Sequence, residues 1–288
     1  MLFRSPPKPV PVIDTAIGSI DTLAWGDGAD LLLILHASCT GPRAYTGLAD
    51  RLSAPDRRII APALAGYGAT RFNETAPDDH TARNCTAAQA LLDTDRFTRR
   101  VVFGHSMGGV AALQAALDCA RAGQPADALI LYEPILHGFL DRTIPEEADA
   151  FAWDRGVIVP ALADIRAGRP EDGVRRFVEA WNDTAWDDLP DRVRQQLVAN
   201  ADTLAAESAS LPGHKLGPDD VRDFRTPTLV LCGDRSPAFT RLAAANLARA
   251  IPGADAVTLE GAGHMAPLDA PERISAAIES FLTEQHSA

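Results

Sequence analysis

A serine set among glycines, at Gly104-His105-Ser106-Met107-Gly108, is the residue of this chain best arranged to do chemistry. Its surroundings suit the pattern. Arg99 to Phe103 (RRVVF) reads as a short buried strand, and Gly109 to Leu117 (GVAALQAAL) reads as a small-residue helix. A strand that turns sharply into a helix needs residues without Cβ atoms beside the turn, so that the backbone can fold tightly and neighbouring chains can approach. Such a turn exposes the Ser106 hydroxyl. A serine hydroxyl is a weak nucleophile at neutral pH, so a nucleophilic Ser106 also requires a base within hydrogen-bond reach and a group that orients the base.

Among seven histidines, His264 is the best-placed base, because the segment Glu260 to Pro267 (EGAGHMAP) reads as a loop after the last strand and before a terminal helix. His80, His137, His214 and His286 fall in loop-like or inserted stretches, where a solvated ring is the expectation. His105 lies inside the turn and is expected to pack beneath it. Acyl transfer further needs two amides aimed at the oxygen that becomes negative. The Met107 N–H, at the start of the helix, is one candidate, since free amides and the helix dipole both favour negative charge there. The second is the Ser38 N–H, in the loop His36-Ala37-Ser38-Cys39-Thr40-Gly41 that leaves the strand Leu31 to Leu35. Cys39 has no comparable turn around it and is not read as a nucleophile.

These residues must be positioned by a scaffold, and the rhythm of the chain suggests which. Val12 to Trp25 alternates in short pieces around Gly18, as an antiparallel hairpin does. Apolar runs then recur between helical stretches: LLLIL at Leu31, RIIAP at Arg58, VVFG at Val101, ALILYE at Ala128, TLVLCG at Thr228 and AVTLE at Ala256. Strands apolar on both faces and separated by amphipathic helices imply a parallel sheet covered by helices on each side. From Pro134 to about Arg225 the strand signal disappears and helical patterns replace it. Within this insertion Val174, Phe177, Val178 and Trp181 fall on one helix face. Trp153, Trp181 and Trp186 are candidates either for packing onto the main body or for lining an apolar substrate pocket.

Composition narrows the function classes. A chain of 288 residues, 46% apolar, can bury one large core, and a net charge of -12 without any basic run longer than a pair argues against nucleic acid. Cys39, Cys85, Cys119 and Cys232 are scattered without ligand spacing, so neither a disulfide framework nor a metal site is expected. The first residues, MLFRSPPKPVPVID, lack the apolar stretch of a signal peptide, and no apolar run approaches membrane-spanning length. A cytoplasmic enzyme without membrane contact, metal or cofactor is the expectation. No pattern specifies its oligomeric state.

Four segments, in order, resemble those of the α/β-hydrolase superfamily, and in particular its lidded serine hydrolases: LLLILHAS, APALAGYGAT, GHSMGG and GAGHMAP. The resemblance spans nearly the whole chain. It implies an α/β-hydrolase fold, with a mostly parallel eight-stranded sheet flanked by helices. It further implies a core formed by residues 1–133 and 226–288, with a helical lid at 134–225. One departure is Ala37, where the family usually has glycine. Another concerns the acid behind the histidine. Many relatives place it in a Gly-x-x-Asp pattern after the late strand, whereas this chain reads Gly233-Asp234-Arg235-Ser236. Asp234 stands two positions early. Some family members instead carry the acid at the end of an earlier strand, where this chain has Glu133 just before Pro134. Glu133 is favoured, with Asp234 as the alternative.

The implied activity is hydrolysis of an ester, lactone or related acyl bond of a small, largely apolar molecule, through Ser106, His264 and the acid, with Ser38 and Met107 amides on the oxyanion. Alternatives are acyl transfer or perhydrolysis on the same fold, or a ligand-binding protein that has lost efficient catalysis.

Overall fold

The computed structural model describes residues 8–93 and 96–287, so the first seven residues of the proline-rich amino-terminal segment lie outside the described residues. The chain opens with strands β1 (Lys8–Thr15) and β2 (Gly18–Trp25), paired antiparallel as the hairpin reading requires. Next come β3 (Asp30–Leu35), α1 (Thr46–Leu52), β4 (Arg57–Pro62), the two-residue β5 (Arg71–Phe72) and α2 (His80–Leu92). Strand β6 (Arg99–His105), helix α3 (Met107–Arg121) and β7 (Ala128–Tyr132) complete the first half. A strand-free stretch follows, with α4 (Pro145–Arg166), α5 (Pro170–Trp181), α6 (Asp191–Ala199) and α7 (Ala201–Ser210). The sheet then resumes with β8 (Thr228–Gly233), α8 (Ala238–Ala250) and β9 (Asp255–Leu259), before α9 (Ala266–Asp269) and α10 (Pro271–Ser287).

The sheet order is β1-β2-β4-β3-β6-β7-β8-β9, parallel from β4 onward, and each of the six apolar runs forms one of these parallel strands. Where eight strands are expected, nine are found among the described residues, because β5 pairs with the start of β2. Two residues are too few to carry a hydrophobic alternation. The pairing is nonetheless close: a Cβ on Gly18, whose φ is +141°, would lie 2.1 Å from the Arg71 carbonyl oxygen.

Both faces of the sheet are covered, which is why its central strands are apolar without interruption. Leu31, Leu33, Leu35, Val102, Leu129 and Leu131 pack into the core with side chains of α2, α3 and α8. Leu32, Ile34, Phe103, Ile130 and Tyr132 face the opposite way, against α1 and α10. The inserted helices α4–α7 have a smaller apolar cluster of their own, centred on Ile165, Val174, Val178, Trp186 and Leu204, and Cys39 joins it from the main body. Val174, Val178 and Trp181 are buried on one face of α5, and Phe177 packs beside them. Among the described residues, no helix is long and apolar enough to cross a membrane, and no group of three or more His, Cys, Asp or Glu is arranged to hold a metal ion.

Candidate active site

Ser106 stands between the end of β6 and the first turn of α3, with φ 55° and ψ −119°. A residue with a Cβ is strained there, at a cost of roughly 1–3 kcal/mol, so the surroundings must impose the conformation. They do so by proximity. A Cβ at Gly104 would meet the Gly108 carbonyl oxygen at 2.5 Å, and one at Gly108 would meet the Leu35 carbonyl oxygen at 2.3 Å. The Ser106 N–H donates to the Tyr132 carbonyl (3.0 Å), while the Ser106 carbonyl accepts from Gly109 N–H (3.0 Å). As the first residue of α3, Met107 has an amide with no intrahelical acceptor.

The loop after β3 is held by two tyrosines. Ala37 N–H donates to the Tyr45 hydroxyl (2.9 Å), and Cys39 N–H donates to the Tyr67 hydroxyl (2.7 Å), so the amides on either side of Ser38 are both taken. The Ser38 N–H has no protein acceptor among the described residues. His36 braces the same loop. Its Nδ1–H donates to the Ala37 carbonyl (2.9 Å) and its Nε2 accepts from Leu64 N–H (3.1 Å). Burial drives the His36 pKa down to about 4, so the ring is neutral and structural. His105 lies beneath the turn, its Nδ1 sharing a 2.6 Å hydrogen bond with the Tyr45 hydroxyl, and burial holds its pKa well below the ordinary histidine range. Burial pushes the Cys39 thiol up, away from the thiolate a nucleophile needs.

His264 is almost fully buried, and its Nδ1–H donates to Glu133 Oε2 at 2.6 Å. Glu133 is completely buried at the end of β7, with φ 46°, and its Oε1 accepts from Gly233 N–H at 2.7 Å. The histidine loop is anchored one residue upstream, where the Tyr132 hydroxyl donates to the Gly263 carbonyl (2.6 Å). Asp234 points elsewhere. It is exposed and its Oδ1 accepts from Gly261 N–H (2.7 Å), so it stabilises the turn that leads into the loop. Ser236, where the Gly-x-x-Asp pattern has its carboxylate, is buried and its Oγ has no hydrogen-bond partner among the described residues.

Two cavities meet at Trp181. The larger, about 640 Å³, is open and reaches His264 past Trp153, Asp183 and Arg235. The smaller, about 30 Å³, touches Ser38, Ser106 and Met107 and is walled mainly by Ile135, Ile158, Phe177 and Leu211. The Trp181 ring lies 4.8 Å from the His264 ring, centroid to centroid, and borders both cavities. Trp181 thus borders both the cavity that touches Ser106 and the one that touches His264, and the hydrogen bonds of the described residues include none between Ser106 and His264. Such contacts commonly tighten only when substrate is bound. Trp153 is on the rim of the larger cavity, whereas Trp186 is buried among the inserted helices.

Several site residues left no trace in the sequence pattern. Tyr45 and Tyr67 are single residues with no spacing to mark them. His137, expected to be solvated, instead lines the small cavity, where its Nε2 is 2.9 Å from Oδ2 of the buried Asp154. The only available signal was its position two residues beyond Ile135, close after the strand end at Tyr132.

Similarity to known proteins agrees with this fold. The pattern of the alpha/beta hydrolase family matches residues 32–277. The lipase LipV of Mycobacterium tuberculosis is 32% identical over 266 residues, covering 88% of this chain and 94% of the relative. A 2-hydroxymuconate semialdehyde hydrolase of Pseudomonas putida is 27% identical over 278 residues, covering 90% of this chain and 89% of its own length. The enol-lactonase of Burkholderia xenovorans LB400 has the same fold, with a TM-score of 0.74 at 19% identity, over 95% of this chain and 100% of that one. The parallel sheet, the glycine-lined turn and the matched length lead to one family, and the chain belongs to the alpha/beta hydrolases as a hydrolytic enzyme.

Proposed function

We propose that this chain is a serine hydrolase that cleaves an ester, lactone or related acyl bond of a small, largely apolar molecule, using Ser106, His264 and Glu133 as its triad. The observation that carries the reading is the fully buried 2.6 Å link from Glu133 Oε2 to His264 Nδ1, beside a serine held at φ 55°. With Nδ1–H committed to the carboxylate, the lone pair on Nε2 is left to take the Ser106 proton. Ser106 Oγ then attacks the carbonyl carbon, and the amides of Ser38 and Met107 stabilise the oxyanion. Collapse releases the alcohol, protonated by His264. Water deprotonated by the same ring then hydrolyses the acyl enzyme.

Helices α4–α7 act as the lid in this reading, and residues 134–225 are the segment that sets selectivity. The mostly apolar wall of Ile135, Ile158, Phe177, Trp181 and Leu211 supports an apolar acyl group. The names of the relatives, a lipase and an enol-lactonase among them, support carboxylic esters and lactones. A fluorophosphonate probe tests the proposal. Wild-type protein is expected to be labelled at Ser106, and Ser106→Ala to lose both the label and hydrolysis of short p-nitrophenyl esters. An unlabelled, esterase-inactive wild type would overturn it.

A further inference from the structure

Behind the loop after β3 lies a buried carboxyl that the reaction above does not use. Glu207, in α7, is completely buried. The Tyr67 hydroxyl donates to its Oε2 at 3.1 Å, and the same Tyr67 oxygen accepts the Cys39 N–H at 2.7 Å. Its Oε1 is buried without a hydrogen-bond partner among the described residues. Asn200, which caps the start of the same helix, donates from Nδ2 to the Cys39 carbonyl at 3.2 Å, and Thr203 donates to the Gly66 carbonyl at 3.2 Å, one residue before Tyr67. Cys39 is therefore held at its carbonyl directly by Asn200 and at its N–H through Tyr67, which Glu207 holds in turn. Cys39 needs that grip, because its φ of 64° is a left-handed conformation that a side chain disfavours.

We propose that Glu207 is a positioning residue for the oxyanion hole: by holding Tyr67 against the Cys39 amide it aims the neighbouring Ser38 N–H, so that seating of α7 and assembly of the hole are one event. The dependence of the loop on Glu207 stands on these contacts, and only the identity of the oxyanion rests on the hydrolase reading. Ser38 sits between two peptide groups fixed by Tyr45 and Tyr67, so its own amide direction follows from theirs. Substrate that displaces α7 would also release the amide.

The arrangement is sensitive to pH. Desolvation raises the Glu207 carboxyl to about 7, with the Ser38 and Tyr67 side chains acting in the opposite direction. Around it, the loop after β3 presents Ser38 and the Cys39 thiol, and the loop after β4 presents Tyr67; burial keeps both Cys39 and Tyr67 protonated. Helix α4 contributes Asp154 and Arg155 across the small cavity, α5 the uncharged Phe177, and α2 the neutral Thr81, which bonds Ser210. Because the folded-state pKa is raised, the stability that neutral Glu207 contributes is complete below the ordinary carboxylate range and is lost as pH rises through about 7. A negative charge there also opposes the developing oxyanion beside Ser38.

The test follows the backbone amides of Ser38 and Cys39 by nitrogen-15 NMR from acidic to alkaline pH, in full-length wild type, Glu207→Gln, Glu207→Leu and Tyr67→Phe. Both wild-type resonances are expected to titrate with a midpoint near 7. They are expected not to titrate in Glu207→Gln, which keeps an acceptor but cannot ionise, nor in Tyr67→Phe, which lacks the bridge. In the ester assay, Glu207→Leu is expected to lower kcat about tenfold with little change in KM, part of the 10²–10³ that one oxyanion donor supplies. Wild-type kcat is expected to fall as pH rises through about 7, and Glu207→Gln is expected to recover most of the loss seen in Glu207→Leu and to remove that fall. Flat wild-type amides, a titration that survives in Glu207→Gln, or a folded Glu207→Leu with unaltered kcat would each overturn the proposal. A wild type with no esterase activity would sink the hydrolase reading, while the amide titration still decides the role of Glu207.

Discussion

Replacing Glu133 with glutamine removes one charge and almost no volume, and the structure gives the size of the loss. The carboxylate has two buried obligations: Oε2 accepts from His264 Nδ1–H at 2.6 Å, and Oε1 accepts from Gly233 N–H at 2.7 Å. Glutamine has a single acceptor oxygen. The Gly233 amide ends β8, is held there by the pairing with β9 and cannot turn away, so it keeps that oxygen and the new NH₂ faces Nδ1. Nδ1 must then be the acceptor, which puts the ring proton on Nε2, the nitrogen that should receive the Ser106 proton. The imidazolium formed during attack also loses its counter-charge. At an effective dielectric of about 20, opposite charges about 4 Å apart attract by about 4 kcal/mol, or roughly 10³ in rate. With the tautomer penalty added, kcat/KM is expected to fall by about 10³–10⁴, as when a triad carboxylate becomes an amide elsewhere. The assay is steady-state hydrolysis of a short p-nitrophenyl ester, with a thermal melt to show that glutamine accepts the backbone φ of 46°. Asp234→Asn serves as the comparison. Its amide oxygen can still accept from Gly261 N–H on the exposed turn, so activity is expected to stay within about threefold of wild type. A folded Glu133→Gln within tenfold of wild type, or an inactive Asp234→Asn, would refute the reasoning.

Two further substitutions probe the frame and the pocket. Gly108→Ala places a Cβ 2.3 Å from the Leu35 carbonyl oxygen, in a strand fixed by its pairing with β6; it is expected to lower Tm by roughly 2–10 °C and to weaken fluorophosphonate labelling. A melt equal to wild type would count against so close an approach. Trp181→Ala joins the cavities of about 640 and 30 Å³, and is expected to raise octanoate over acetate ester hydrolysis by about tenfold. An unchanged chain-length preference would show that Trp181 does not limit the acyl group.

Features that depend on near neighbours were legible in the chain before any fold was known. Six apolar runs became six parallel strands; the central ones are apolar because both of their faces are buried, while β9, at the sheet edge, is exposed. The turn around Ser106 was readable because its glycines lie within two residues of the serine and are required by local backbone geometry. The buried face of α5 followed from helical periodicity in the same way. Tertiary structure alone decided which carboxyl lies against His264. Glu133 and His264 are 131 residues apart, and the direction of the Glu133 side chain depends on a positive φ and on where β7 ends against β8. No local spacing encodes either. The same reason hid Tyr45, Tyr67 and Glu207: each is an isolated residue from a different element, and only the fold brings the Tyr45 and Tyr67 hydroxyls to the amides on either side of Ser38, with Glu207 behind Tyr67.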